Sequence, residues 1–252
     1  MPAARFLRWK NVCKNYISAG LWFLTHIDYL FADLGWIRRE KDNNTLVVLL
    51  HGVNQKRFVF SIFSRSMLIN GVHPHCDVYA PFLKHDHNGP VSNYAREPLQ
   101  EVREWIGVHP GGRVLLVGFS NGGRVAAYIE SQLPADDTVG DDVENVTVRV
   151  LTFGAPLHGT ALIGWLPAWL VDMRIGPVLR MEMQAGLESL PPVRPKRYMS
   201  VVASDDWFVY PPENAYMAGQ KAFVESNHGH LSLMTSAAAH RHVWNFTSLY
   251  TI

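Results

Sequence analysis

The chain of 252 residues has little cysteine, little net charge and no internal repeat. Its two cysteines, Cys13 and Cys76, are too few for the disulfide framework of a small secreted domain. A formal net charge of +1 points to no nucleic acid and to no strongly acidic partner. The apolar fraction of 48% is ordinary for a globular protein. A chain of this length can bury a stable core without disulfides or a structural metal ion.

A long uninterrupted apolar run is also missing, although the N-terminus resembles one. Four basic residues in the first 14 precede an apolar stretch over residues 16–34, as in a signal peptide. No small-x-small cleavage site follows, and His26, Asp28 and Asp33 make the stretch too polar for a membrane span. Apolar residues recur every three or four positions, which predicts an amphipathic helical extension over residues 1–45.

This extension has two interpretations, which the sequence leaves open. The apolar stripe either packs on the folded domain or lies on a membrane surface as a peripheral anchor, for which basic residues and tryptophans are typical. A cytoplasmic protein with or without membrane contact is therefore expected, and a secreted one is also compatible with the sequence. The oligomeric state is not specified.

From residue 46 onward, apolar runs alternate with helical patterns up to the C-terminus. The apolar runs predict strands over residues 46–50, 76–80, 113–117, 146–152, 197–203 and 221–224. The helical patterns predict helices over residues 94–106 and 123–132. Such alternation predicts one α/β domain over residues 46–252, with a mostly parallel central sheet and helices on both faces. Residues 162–194 form a small helical insertion that either covers a site as a cap or pocket wall, or packs as ordinary helices.

The segment Gly118-Phe119-Ser120-Asn121-Gly122 reads Gly-x-Ser-x-Gly between a predicted strand and a predicted helix. Strand, sharp turn and helix predict a nucleophile elbow, in which the serine hydroxyl is exposed above the sheet. A Cβ at either glycine would clash with the neighbouring strand or helix. A serine hydroxyl is a weak nucleophile, so it needs a base and an acid that orients the base.

Candidates for the acid and the base follow in the order Ser, Asp, His. Asp205 and Asp206 come after the predicted strand that ends at residue 203. His228 and His230 come after the predicted strand that ends at residue 224. Parallel α/β sheets place functional groups just beyond the carboxyl ends of their strands.

Five segments together resemble the α/β-hydrolase family, and within it the lipases and esterases. They occur in the family's order at residues 51–53, 118–122, 154–160, 206–211 and 229–231. The resemblance implies an α/β-hydrolase fold. It also implies that residues 154–160, which include His158, form a structural turn near the nucleophile.

The resemblance also implies roles for three residues: Ser120 as nucleophile, Asp206 as acid and His230 as base. Asp206 is preferred over Asp205 because Asp-Trp-Phe-Val resembles the family's Asp-x-x-Val signature. His230 is preferred over His228 because Gly-His-Leu-Ser-Leu resembles the Gly-His-x-x-Leu ending. The two neighbours remain alternatives.

A second turn, at His51 and Gly52, follows the most apolar predicted strand. In similar proteins this turn shapes the oxyanion hole, whose donors here would be the backbone N–H groups of Val53 and Asn121. The chain reads His-Gly-Val-Asn, which argues against esterase groups that depend on a His-Gly-Gly-Gly motif.

The resemblance implies a serine hydrolase that cleaves a small-molecule ester or a lipid and needs no cofactor. The same residues would also serve an acyl-thioesterase or an acyltransferase, and a non-catalytic binding module of the same fold is a further alternative. Histidines cluster at residues 73–75 and 85–87 in loops rich in proline, glycine and asparagine. No third and fourth ligands have recognisable spacing, so no metal site is predicted.

Overall fold

The computed structural model describes residues 36–39, 43–53, 60, 76–83, 89–133, 147–161, 167–168, 177–194, 197–236 and 241–242. These residues contain one seven-stranded sheet. Its strands in chain order are β1 Trp36–Arg38, β2 Thr45–Leu50, β3 Asp77–Tyr79, β4 Arg113–Phe119, β5 Thr147–Phe153, β6 Tyr198–Ala203 and β7 Lys221–Glu225.

The strand order across the sheet is β1-β3-β2-β4-β5-β6-β7. Strands β2 to β7 run parallel to one another. The edge strand β1 pairs antiparallel with its neighbour β3. Strands β2 and β4 pair from Thr45 with Arg113 to Leu50 with Gly118, so they end at the same level. The predicted α/β architecture with a mostly parallel sheet is confirmed, and all six predicted strands are present with bounds that differ by at most two residues from the prediction.

The central strands are buried on both faces. Leu46 and Val48 of β2 belong to one apolar cluster, whereas Val47 and Leu49 of the same strand belong to a second cluster on the other face. Alternate residues of a strand point to opposite faces, so a strand covered on both sides needs a continuous apolar run. This is why apolar and polar residues do not alternate along the central strands of the sequence.

The larger cluster includes buried residues of two long helices, α1 Val91–Val108 and α2 Asn121–Gln132. The buried positions of α1 recur every three or four residues, as in an amphipathic helix. Trp105 of α1 donates its indole N–H to Asp77 Oδ2 at 2.7 Å, and Asn43 Nδ2 donates to Asp77 Oδ1 at 2.8 Å. The buried carboxylate of β3 therefore has partners on both oxygens.

The described part of the predicted insertion is a packing helix. Helix α3, Pro177–Ala185, continues into a 3-10 turn at Gly186–Ser189. Leu179 and Met183 of α3 belong to the larger apolar cluster, while Met181 is exposed. One face of α3 is thus part of the domain core, and the opposite face is open to solvent.

Arg124 of α2 holds this segment against the domain. Its side chain is fully buried and donates to the carbonyl oxygens of Pro156, Glu182 and Gly186, at 3.2, 3.0 and 3.3 Å, and to Ser189 Oγ at 2.6 Å. Burial lowers the pKa of Arg124 to about 10, which still leaves the guanidinium charged at neutral pH. Hydrogen bonds from a charged donor are stronger than neutral ones.

Strand β1 corrects part of the prediction for the N-terminus. Residues 36–38, placed in the helical extension, form a strand in which Trp36 lies opposite Tyr79 of β3. The free edge of β3 offers backbone partners to a short segment with an aromatic and a β-branched residue, and such pairing overrides a helical period.

Several other sequence predictions lie outside the described residues. These are most of the N-terminal extension, the remainder of the insertion and the histidine clusters: residues 1–35, 40–42, 73–75, 85–87, 162–166 and 169–176. None of the described helices is both long and apolar enough to cross a membrane.

We expect Arg124→Met to lower the free energy of unfolding by about 2 kcal/mol or more, because carbonyl oxygens of the buried Pro156 and Gly186 lose a charged donor. Arg96→Met is the matched control, since Arg96 is exposed and its guanidinium donates to Oδ1 of the exposed Asn93 at 3.2 Å. This control should change the free energy by less than about 0.5 kcal/mol. Urea denaturation measures both, and equal unfolding midpoints for the two variants would contradict the role of Arg124.

Candidate active site

Three predicted side chains follow the carboxyl ends of parallel strands. Ser120 comes directly after β4, Asp206 three residues after β6, and His230 five residues after β7. Because these strands are parallel members of one sheet, their following loops lie at the same edge. The edge is where an α/β sheet forms its binding sites.

Ser120 has the backbone conformation expected for an elbow. Its φ of 55° and ψ of −129° lie in a region that side-chain-bearing residues rarely adopt, at a cost of about 1–3 kcal/mol. Two hydrogen bonds stabilise this conformation: the Ser120 N–H donates to Phe153 O, and the Gly123 N–H donates to Ser120 O, both at 2.9 Å. The serine is half-buried at the start of α2.

The glycines of the motif allow backbone to pack against backbone. A Cβ on Gly118 would overlap the backbone of Gly123 in α2. A Cβ on Gly122 would overlap the carbonyl group of Leu50 at the end of β2. The predicted steric reason for Gly-x-Ser-x-Gly is confirmed, since any larger residue would push α2 away from the sheet.

Asp206 and His230 form a buried pair. His230 Nδ1 lies 2.7 Å from Asp206 Oδ2, and the residues are 4% and 2% exposed, respectively. Asp206 Oδ1 accepts the backbone N–H groups of Phe208 and Val209, each at 2.9 Å. A carboxylate oxygen only accepts, so the imidazole proton lies on Nδ1 and the basic nitrogen is Nε2.

The imidazole lies beside the elbow. The ring of Phe119, the residue directly before Ser120, is 5.0 Å from the His230 ring, centroid to centroid. Gly154, directly after β5, has a φ of 51°, and a Cβ there would lie 3.1 Å from both Asp206 Oδ2 and His230 Nδ1. Asp206 and His230 therefore pack around the ends of β4 and β5, where Ser120 directly precedes α2.

The alternative acid and base have a different position. Asp205 is exposed, and its backbone N–H donates to the carbonyl oxygen of His228 at 3.0 Å. His228 Nδ1 lies 3.2 Å from Ser232 Oγ, which also accepts the Gly229 N–H at 3.0 Å. The backbone hydrogen bond from Asp205 to His228 joins the two loops. It is the side chains of Asp206 and His230, however, that contact each other. The catalytic roles stay predictions.

The second turn is held by His51. Its buried ring accepts the Leu83 N–H at Nε2, 3.1 Å away, and Nδ1 therefore carries the proton that it donates to Gly52 O at 3.0 Å. Val53 is half-buried, and Asn121 is buried as the first residue of α2. The backbone N–H of Asn121 has no acceptor within α2, because the first N–H groups of a helix have no intrahelical partner. This N–H therefore meets the requirement for the predicted oxyanion donor.

The turn after β5 supports residues 206–210, the acid loop named after the predicted role of Asp206, through a contact that sequence reasoning missed. Thr160 Oγ1 donates to Phe208 O at 2.5 Å and accepts the Tyr210 N–H at 3.4 Å. The Ala161 N–H donates to Tyr210 O at 2.9 Å. The two segments are about 50 residues apart in the chain, so no local pattern signals the contact. His158 is exposed in this turn.

The part of the chain that the structure describes contains no group of three or more His, Cys, Asp or Glu residues arranged to hold a metal ion. His242 Nε2 lies 2.8 Å from Glu225 Oε1, and its ring stacks on Phe223 at 3.9 Å, which accounts for this C-terminal histidine as a packing residue.

No protein-family model matches the chain, and no curated protein does either. Solved structures do resemble it. Esterase B from Lactobacillus rhamnosis has a TM-score of 0.55 at 14% identity, covering 84% of this chain and 77% of the esterase. Lipase BlEst2 from Bacillus licheniformis has a TM-score of 0.52 at 19% identity, covering 88% of this chain and 98% of the lipase.

A bromoperoxidase from Bacillus anthracis is similar to the same degree, with a TM-score of 0.51 at 11% identity over 82% of this chain and 92% of that protein. At such identities the likeness shows the fold alone. The protein has the α/β-hydrolase fold, as its sequence motifs imply. The reaction has to be argued from the site.

We expect Asp206→Asn and His230→Ala to lower kcat for a chromogenic ester at least about 10³-fold, because either change removes one member of the buried pair. Asp205→Asn and His228→Ala are the matched controls, one for each loop, and should cost less than about tenfold. Steady-state kinetics on the four purified variants, each checked by circular dichroism, measure this. A larger loss in either control than in its neighbour would reassign that role.

Proposed function

We propose that the protein is a serine hydrolase that cleaves carboxylic esters through an acyl-enzyme intermediate. The observation that carries this proposal is the hydrogen bond between Asp206 and His230 at the sheet edge where Ser120, in an elbow conformation, directly precedes α2. A nucleophile, a base and an orienting acid are the parts that acyl transfer needs. Lipases and esterases of the same fold support this choice of reaction.

In the first half-reaction, Ser120 Oγ attacks the ester carbonyl while His230 Nε2 takes the hydroxyl proton. Asp206 then faces an imidazolium and stabilises its charge. The oxyanion of the tetrahedral intermediate would accept the N–H groups of Val53 and Asn121, of which one such donor is worth about 3 kcal/mol. The intermediate collapses when His230 returns the proton to the departing alcohol, which leaves the acyl group on Ser120.

In the second half-reaction, water replaces the alcohol. His230 removes a proton from the water, whose oxygen attacks the acyl carbon, and the carboxylic acid leaves as Ser120 recovers its proton. The same steps would cleave a thioester, and an alcohol in place of water would make the reaction an acyl transfer. The sulfur or oxygen leaving group and the acceptor decide between these outcomes.

The test is hydrolysis of p-nitrophenyl esters with acyl chains from acetyl to octanoyl, with one acyl-thioester and one alcohol acceptor as further arms. We expect p-nitrophenol release by the wild-type protein and a loss of about 10⁵-fold or more in Ser120→Ala, since the nucleophile is gone. Faster turnover of the thioester, or a new ester as main product, would favour those alternatives. Retention of more than a few per cent of activity in Ser120→Ala would reject the proposal.

A further inference from the structure

Two aromatic side chains stand exposed beside the predicted base. The ring of Phe208 lies 5.1 Å from the His230 imidazole, centroid to centroid, and the ring of Trp207 lies 4.7 Å from that of Phe208. Both are large and apolar, yet Trp207 is 45% exposed and Phe208 41% exposed. Exposed apolar surface next to a reactive group is typical of a place that a ligand covers.

Hydrogen bonds restrain the backbone that carries the Phe208 ring before any ligand arrives. The Phe208 N–H donates to Asp206 Oδ1 at 2.9 Å, and the Phe208 carbonyl oxygen accepts Thr160 Oγ1 at 2.5 Å. The next residue, Val209, is buried and donates to the same Asp206 oxygen. A backbone that is already ordered loses little freedom on binding, so contacts of the side chain it carries contribute more of their energy to affinity.

The chemistry decides which part of the substrate meets these rings. When the tetrahedral intermediate collapses, the bond from the carbonyl carbon to the alcohol oxygen breaks, and its electron pair stays on that oxygen. The oxygen takes the proton that His230 removed from Ser120, so it must lie within about 3 Å of the imidazole. Atoms attached to the alcohol oxygen therefore lie beside the side chains that flank His230, and Phe208 is one of them.

We infer that Phe208 and Trp207 form a subsite for the alcohol part of the ester, and that the preferred substrates are esters of aromatic or bulky apolar alcohols. The inference rests on the proposed ester hydrolysis and adds the side of the substrate on which selectivity arises. A ring on the alcohol can stack on Phe208, whereas a ring on the acyl group is on the other side of the reacting carbon. Stacked or tilted aromatic pairs are favourable beyond their buried area.

Three esters separate the two sides of the substrate: ethyl butanoate, 2-phenylethyl butanoate, with the ring on the alcohol, and ethyl 4-phenylbutanoate, with the ring on the acyl group. The readout is the ratio of kcat/KM for each phenyl ester to that for ethyl butanoate, which does not depend on enzyme concentration. We expect the alcohol-side ratio to be about tenfold or more in the wild type and to fall about fivefold in Phe208→Ala. Trp207→Ala should lower it less, and Phe208→Tyr should retain it.

Phe82→Ala is the matched control. Phe82 is 46% exposed and packs near His51, at 6.0 Å between ring centroids, rather than beside His230. It should leave the alcohol-side ratio within about twofold of the wild type. The acyl-side ratio is a second control, and it should stay unchanged in Phe208→Ala.

Three results would overturn the inference alone: a wild-type alcohol-side ratio near one, equal changes of both ratios in Phe208→Ala, or an equal effect of Phe82→Ala. In each of these cases the esters are still hydrolysed and the proposed function stands. No hydrolysis of any of the three esters would overturn the proposed function and this inference with it.

Discussion

The site depends on one backbone constraint, the sharp turn at Ser120 between β4 and α2. The turn requires a positive φ at a serine and two glycines that let α2 approach the sheet at backbone distance. Its cost of about 1–3 kcal/mol is offset locally by the hydrogen bonds of Ser120 to Phe153 and Gly123. Because β5 supplies one of these bonds, the elbow is part of the sheet and not an independent loop.

Asp206 and His230, the predicted acid and base, are positioned by the same edge of the sheet. Gly154, directly after β5, lies against Asp206 and His230, and a Cβ there would be 3.1 Å from both side chains, closer than an ordinary van der Waals contact. The turn after Gly154 then holds the acid loop through Thr160. Arg124 connects this region to the rest of the domain, because it bonds Pro156 in the same turn and the end of α3. The Asp206–His230 pair is thus supported by β5, by the turn after it and, through Arg124, by α2.

Local sequence patterns predicted the parts of this arrangement that are local. Gly-x-Ser-x-Gly between an apolar run and a helix specifies the elbow because the strand, the turn and the helix are consecutive in the chain, and Gly118 packs against Gly123 only five residues later. Strand positions followed from apolar runs that must be buried on both faces. Contacts of Gly154 with His230, or of Phe208 with Thr160, join residues more than 40 positions apart, and no spacing rule reveals them. Strand β1 was missed because its pairing with β3 depends on a free sheet edge.

The central claim is that Ser120 is a nucleophile activated by His230. Labelling with a fluorophosphonate, followed by intact mass measurement and peptide mapping, tests it without assuming any natural substrate. We expect one adduct per wild-type chain, located on Ser120, with a labelling rate at least about 10²-fold lower in His230→Ala. An adduct on another residue, or a labelling rate in His230→Ala equal to that of the wild type, would contradict it.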